Sequence, residues 1–261
     1  MAAEPTAFLE SPTSTAVIAP FSKTRRIKHA DSDGTDALPV LDGRVLPAQR
    51  PAPARRVNVV EHPIASHALT GLRNRQTAPE QFRAFSNQLL VLLTMESTRT
   101  LPAREETVDT MVGPFGGRAL GKPVVFLSLS RHGLGLVHNA ASFVPGALVG
   151  MINLGPAGNS QAPDPRLHLV NAPALGGVRV ILFDPVVATG LSATLSLDLL
   201  RRSGAVDISL LSFLVSGVGL ERVQGASPDL AIWTAAIDTE WDSKRGPLPG
   251  LGNFGERLYG N

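Results

Sequence analysis

The chain has 261 residues, 43% of them hydrophobic, enough for one domain of ordinary size plus an extension. A formal charge of +2 with scattered basic residues leaves no footprint for nucleic acid, and the absence of cysteine excludes disulfides, thiolate metal sites and cysteine nucleophiles. No apolar stretch reaches the roughly 18 residues of a membrane span and no basic-then-apolar leader opens the chain, so a cytoplasmic protein with no membrane partner is expected.

Residues 1–57 carry Pro5, Pro12, Pro20, Pro39, Pro47, Pro51 and Pro53, a basic knot from Lys23 to Lys28, and no amphipathic period. This composition predicts a largely irregular arm, with a short ordered piece near Ala37 to Val45, followed by a domain over 58–261. From Pro79 to Met95 the apolar residues Phe82, Phe85, Leu89, Leu92 and Leu93 fall on one helical face, with Thr77 as its cap. Short apolar runs then follow at Val124–Leu129, Ala147–Leu154, Val178–Phe183, Ile208–Val215 and Leu230–Ile237, separated by helical patterns. Buried strands alternating with helices predict an α/β fold with a mainly parallel sheet covered on both faces. Ligands of such sheets bind beyond the carboxyl ends of the strands.

One of those ends carries the most informative text: Val180-Ile-Leu-Phe-Asp184-Pro-Val-Val187-Ala188-Thr189-Gly190-Leu191-Ser192-Ala193, leading into a helix with Leu195, Leu197, Leu199 and Leu200. A strand ending in Asp and a small-residue turn opening a helix present free N–H groups and hydroxyls, a setting that attracts anions. An ordinary strand-to-helix turn with Thr or Ser as the N-cap would leave much the same text. The run resembles the phosphoribosyl-diphosphate loop DPMLATGGS of uracil phosphoribosyltransferases. The likeness continues through His62-Pro63 to Leu72-Arg73, Glu96 to Pro102, Arg131-His132-Gly133-Leu-Gly135, Pro228-Asp229, Thr234 to Asp238, and the tail Pro249-Gly-Leu-Gly252-Asn253-Phe254 to Gly260. It covers about residues 60–261 in unbroken order, and implies a type I phosphoribosyltransferase-like fold with a small hood formed by the C-terminal tail.

By that resemblance Asp184 would face ribose hydroxyls, the stretch Ala188–Ser192 would hold the 5-phosphate, and Arg131 would contact the diphosphate. Several positions depart from the family pattern. Pro156 stands where a second diphosphate arginine is expected, Asn253 replaces an acid, and Leu191 replaces a glycine. His132 replaces an alanine and His138 an acid, while Leu248 follows Pro247, which has no N–H. The losses remove charge and donors from subsites for a polyanion, and a charge-assisted contact contributes about 1.5–3 kcal/mol. The first expectation is therefore a repurposed enzyme for a less polar small molecule, a cyclase, isomerase or lyase of specialised metabolism needing no cofactor or metal. Arg131, His132 and His138 would be catalytic. Asp184, Val187, Thr189, Gly190, Leu191, Ser192, Pro156, Leu248, Gly252, Asn253 and Phe254 would bind substrate. The alternative is an active uracil or other base phosphoribosyltransferase using Mg2+ with phosphoribosyl diphosphate. A third reading is a regulatory protein that binds nucleotide without turnover. The family implies a homodimer or higher homo-oligomer.

Overall fold

A computed structural model describes residues 57–156, 163–169 and 175–260. The predicted arm, with its short piece near 37–45, lies outside them apart from Val57. In chain order the elements are β1 (Val57–Val59), α1 (Pro63–Arg73), α2 (Pro79–Thr98), β2 (Ala103–Thr110), β3 (Gly113–Leu120), β4 (Val124–Ser128), α3 (Arg131–Ala141), β5 (Leu148–Pro156) and β6 (Pro163–Leu169). Then come β7 (Arg179–Phe183), β8 (Val186–Val187), α4 (Leu191–Arg202), β9 (Asp207–Ser216), α5 (Gly217–Ala226), β10 (Ala231–Asp238), β11 (Glu240–Asp242), β12 (Gly246–Leu248) and α6 (Phe254–Tyr259).

The main sheet runs β1-β10-β9-β7-β4-β5-β6, with the short β8 also on β9. Every pairing is parallel except β5 with β6. Strands β4 and β7 are apolar at nearly every position because both faces are covered, and alternate residues serve different cores. Val124, Phe126, Ile181, Phe183, Leu211 and Phe213 pack with Leu72, Phe82, Leu89 and Val137 of the helices α1, α2 and α3. Val125, Leu127, Val180, Leu182 and Leu210 pack with Ala193, Leu197, Leu200 and Val223 of α4 and α5.

Helix α1 starts at His62, whose Nδ1 accepts from Ile64 N–H at 3.1 Å, with Pro63 in the first turn where its missing donor costs nothing. Helix α2 follows the predicted face, but Thr77 does not cap it. The N-cap is Ala78, which makes no side-chain cap bond, and the Thr77 hydroxyl donates instead to Gly71 O at 2.7 Å, tying the turn to α1. The expected apolar runs all appear as strands: β4, β5, β7, β9 and β10. The hairpin β2–β3, the edge strand β6 and the pair β11–β12 were not read from sequence. The hairpin strands are exposed at most positions, so they carry no apolar alternation to reveal them.

Candidate active site

At the carboxyl edge of the parallel sheet, the segment from Asp184 to Gly190 passes from β7 through β8 into α4. Its backbone is fixed from the side of β9: Asp184 N–H donates to Leu211 O at 3.0 Å, and Phe213 N–H donates to Pro185 O at 3.1 Å. Ser216 at the end of β9 donates its hydroxyl to Ala188 O and accepts from Gly219 N–H at 2.8 Å. Two glycines allow the close crossing of the loop with α5. A Cβ on Gly190 would lie 2.7 Å from Gly219 O, and one on Gly219 would lie 2.6 Å from Ala188 O.

The N-cap of α4 is Gly190 at φ 73°, with no side-chain cap bond, so neither the Thr nor the Ser expected there fills the role. Leu191 is the first helical residue, which puts the left-handed position on the glycine and leaves the leucine unstrained; its side chain is exposed. Within this turn Thr194 N–H pairs with Gly190 O at 3.0 Å. No backbone–backbone bond among the described residues engages the N–H groups of Thr189, Gly190, Ser192 or Ala193. Unpaired donors at a helix start, reinforced by its dipole, form an anion cradle whose chemistry does not depend on the side chain at 191.

Asp184 is partly covered at the mouth of this cradle. Burial pushes its carboxyl up to about 7, opposed only in part by a hydrogen bond from the Val186 backbone. Val187 is fully buried in β8, so its backbone, not its side chain, shapes the loop.

The Arg131 turn is brought beside this loop. Leu129 N–H donates to Phe183 O at 2.9 Å, and a Cβ on Gly133 would stand 2.4 Å from Ser128 Oγ and 3.2 Å from the Phe183 ring. Arg131 and His132 thus begin α3, capped by Ser130, next to Asp184, although their side chains lie outside what is described. The same holds for Pro156 at the end of β5. His138 is elsewhere: it is exposed on α3 in a groove of about 620 Å³ shared with Arg83, Asn87, Asn139, Leu258 and Tyr259, which none of residues 184–192 lines.

The tail supplies the remaining expected residues. Leu248 is half-buried in β12, and Gly252 is exposed at φ 70°. Asn253 caps α6, its Oδ1 accepting from Glu256 N–H at 3.3 Å. Phe254 is buried between Phe82 and Phe213, at ring distances of 5.3 and 5.8 Å. Sequence reasoning singled out no role for Arg73 or Asp238, yet they form a bidentate pair at 2.9 and 2.6 Å beneath the tail. Both stood in the quoted family segments, which was the only signal, since they are 165 residues apart.

The family model for uracil phosphoribosyltransferase matches residues 59–261. The chain belongs to that family. Uracil phosphoribosyltransferases of Thermus thermophilus and Symbiobacterium thermophilum are 35% and 37% identical to it over 206 and 210 residues, 78% of this chain in each case and 99% and 98% of those proteins. The solved AQ2163 protein of Aquifex aeolicus shares the fold, with a TM-score of 0.70 at 24% identity over 78% of this chain and 97% of that one. These relatives correct the expectation of a neofunctionalised cyclase, isomerase or lyase of specialised metabolism: relatives named as uracil phosphoribosyltransferases are matched along nearly their whole length. At the loop itself the change to Leu191 costs no donor, because Gly190 takes the left-handed turn and the N–H groups at the helix start stay unpaired.

Proposed function

We propose that the chain transfers the phosphoribosyl group of phosphoribosyl diphosphate to uracil, giving UMP and diphosphate. The observation that carries this reading is the Asp184–Ser192 loop, a carboxylate followed by unpaired N–H groups at a helix start on the carboxyl edge of the sheet, in a chain of this family. In this reading the N–H groups of Thr189, Gly190, Ser192 and Ala193 hold the 5-phosphate, ionised Asp184 accepts from the ribose hydroxyls, and Arg131 faces the diphosphate. The uracil nitrogen attacks the anomeric carbon as its bond to diphosphate breaks, and the nitrogen's proton passes to solvent. Donors aimed at the departing anion lower the barrier without reorganising.

The described residues do not fit a protein-built magnesium site. No group of three or more His, Asp or Glu side chains among them could hold a metal, and Asn253 offers a neutral amide where the family has an acid. Any magnesium would have to be held chiefly by the donor's own phosphate oxygens, and would there offset their charge. The domain over 58–261, the cytoplasm as compartment and a homodimer or higher homo-oligomer belong to the same reading; among the described residues no helix is long and apolar enough to cross a membrane. Light scattering showing a monomer would remove the oligomer.

The test supplies the protein with magnesium, excess phosphoribosyl diphosphate and labelled uracil. UMP above the no-enzyme control is expected. No UMP, together with no shift of the melting temperature by the donor, would overturn the reading.

A further inference from the structure

We propose that Arg73 and Asp238 are positioning residues for the base: they fix the backbone of tail residues 249–253 while touching no substrate themselves. This rests on the transferase reading, and on assigning uracil to the tail, whose Leu248, Gly252, Asn253 and Phe254 are the substrate contacts that the family resemblance implies there.

Asp238 is the last residue of β10 and is 5% exposed. Its carboxylate accepts three hydrogen bonds, two from the Arg73 guanidinium at 2.9 and 2.6 Å and one from Gly250 N–H at 2.8 Å. Arg73 also donates to Gly250 O at 3.2 Å, so both backbone groups of Gly250 are consumed by one ion pair. Gly250 itself is at φ 65°, and a Cβ there would lie 2.4 Å from Pro247 O. A second guanidinium crosses in the opposite direction. Arg257 of α6 lies 4.4 Å over the Phe82 ring and donates to Leu251 O at 2.8 Å, to Asn74 O at 2.5 Å and to Leu72 O.

The tail is therefore pinned to the end of α1 at 250 from one side and at 251 from the other. Between this clasp and the start of α6, Gly252 is exposed, and no hydrogen bond among the described residues engages its N–H or C=O. Uracil presents an N–H flanked by carbonyls, so reading it needs an acceptor flanked by donors at fixed separation. A backbone that drifts by about 1 Å forfeits on the order of a hundredfold in such a contact. Asp238 suits the role because an ionised carboxylate can accept from Arg73 and from the tail amide at once.

The experiment compares the full chain with Asp238→Asn and Arg73→Lys, each checked for a cooperative melt. Steady-state kinetics give KM for uracil and for phosphoribosyl diphosphate separately, and hydrogen exchange follows residues 249–253. Expected are a rise of about tenfold or more in KM for uracil, a donor KM within about twofold, and faster exchange in the tail than in the rest of the domain. Equal rises in both KM values, or an unchanged KM for uracil, would overturn the proposal, since a merely structural pair would not single out the base. If Asp238→Asn loses its cooperative melt, Arg73→Lys, which keeps the charge, decides alone. A wild-type protein that makes no UMP sinks the transferase reading. The clasp is then judged by exchange, with faster tail exchange in the variants supporting it and unchanged exchange overturning it.

Discussion

Burial holds the Asp184 carboxyl near 7, against an ordinary value of 3.8, so the empty protein keeps a proton there that an unfolded chain would release. Between those two values the unfolded state binds fewer protons than the native one, and stability falls as pH rises through the window. Asp184→Asn removes the ionisable group. It is expected to melt above the wild type at pH 8 and level with it near pH 3.5, while weakening donor binding; equal melting at pH 8 would refute the buried-acid account. Donor affinity should climb as pH passes 7, since the ionised form accepts ribose hydroxyls, and calorimetry across that range checks it. Asn253 lends itself to a gain. Aspartate caps a helix as well as asparagine and adds charge at its start, favourable by about 0.3–1 kcal/mol. Asn253→Asp should therefore leave the melt unchanged or slightly raised and increase turnover, and a fall in both would show that the amide is needed.

Where β8 crosses α5, two stretches of backbone meet with no room between them. Gly219→Ala would drive a methyl to 2.6 Å from Ala188 O and 2.7 Å from Val187 O. Neither carbonyl can swing aside as a side chain could, so a loss of about 1–3 kcal/mol is expected, with donor binding reduced beyond what the melt accounts for. Chemical denaturation and a donor titration together measure it. The elements flanking this crossing were readable in advance, because a strand buried on both faces must be apolar throughout and a helix over it must repeat every three or four residues. The caps were not. Thr77 and Thr189 had the right chemistry in the right place, but Thr77 bonds to Gly71, and Gly190 takes the left-handed turn that starts α4. Hairpin β2–β3 left no trace, since its residues face water and obey no burial pattern.

Across the whole molecule the proposed site draws on segments far apart in the chain: the turn at 131, the loop at 184 and the tail at 250. Leu129 N–H on Phe183 O joins the first two. All three were proposed from family segments, whereas periodicity pointed only to the strand ends. Leu191 pointed toward a lost reaction because sequence could not show which residue takes the left-handed turn, and that residue is Gly190; Pro156 and Asn253 pointed the same way as a lost cation and a lost acid. The pairing of Arg73 with Asp238 was invisible for a related reason, since no local period links residues on opposite sides of a sheet. The Thermus relative is matched over 99% of its length by 78% of this chain, so it has no counterpart of the remainder. A chain beginning at Val57 is accordingly expected to melt and turn over like the full protein; loss of either would give the first 56 residues a part in the domain. The order of the sheet has a further effect during synthesis. Among the described residues strand β1 pairs only with β10, and Asn58 donates to Ile232 O across a separation of 174 residues. On the ribosome, β1 waits for its β10 partner until almost the last strand has emerged, so closure of the domain comes late in translation, and a nascent chain stalled before residue 231 has neither Asp238 nor the Gly250 it holds.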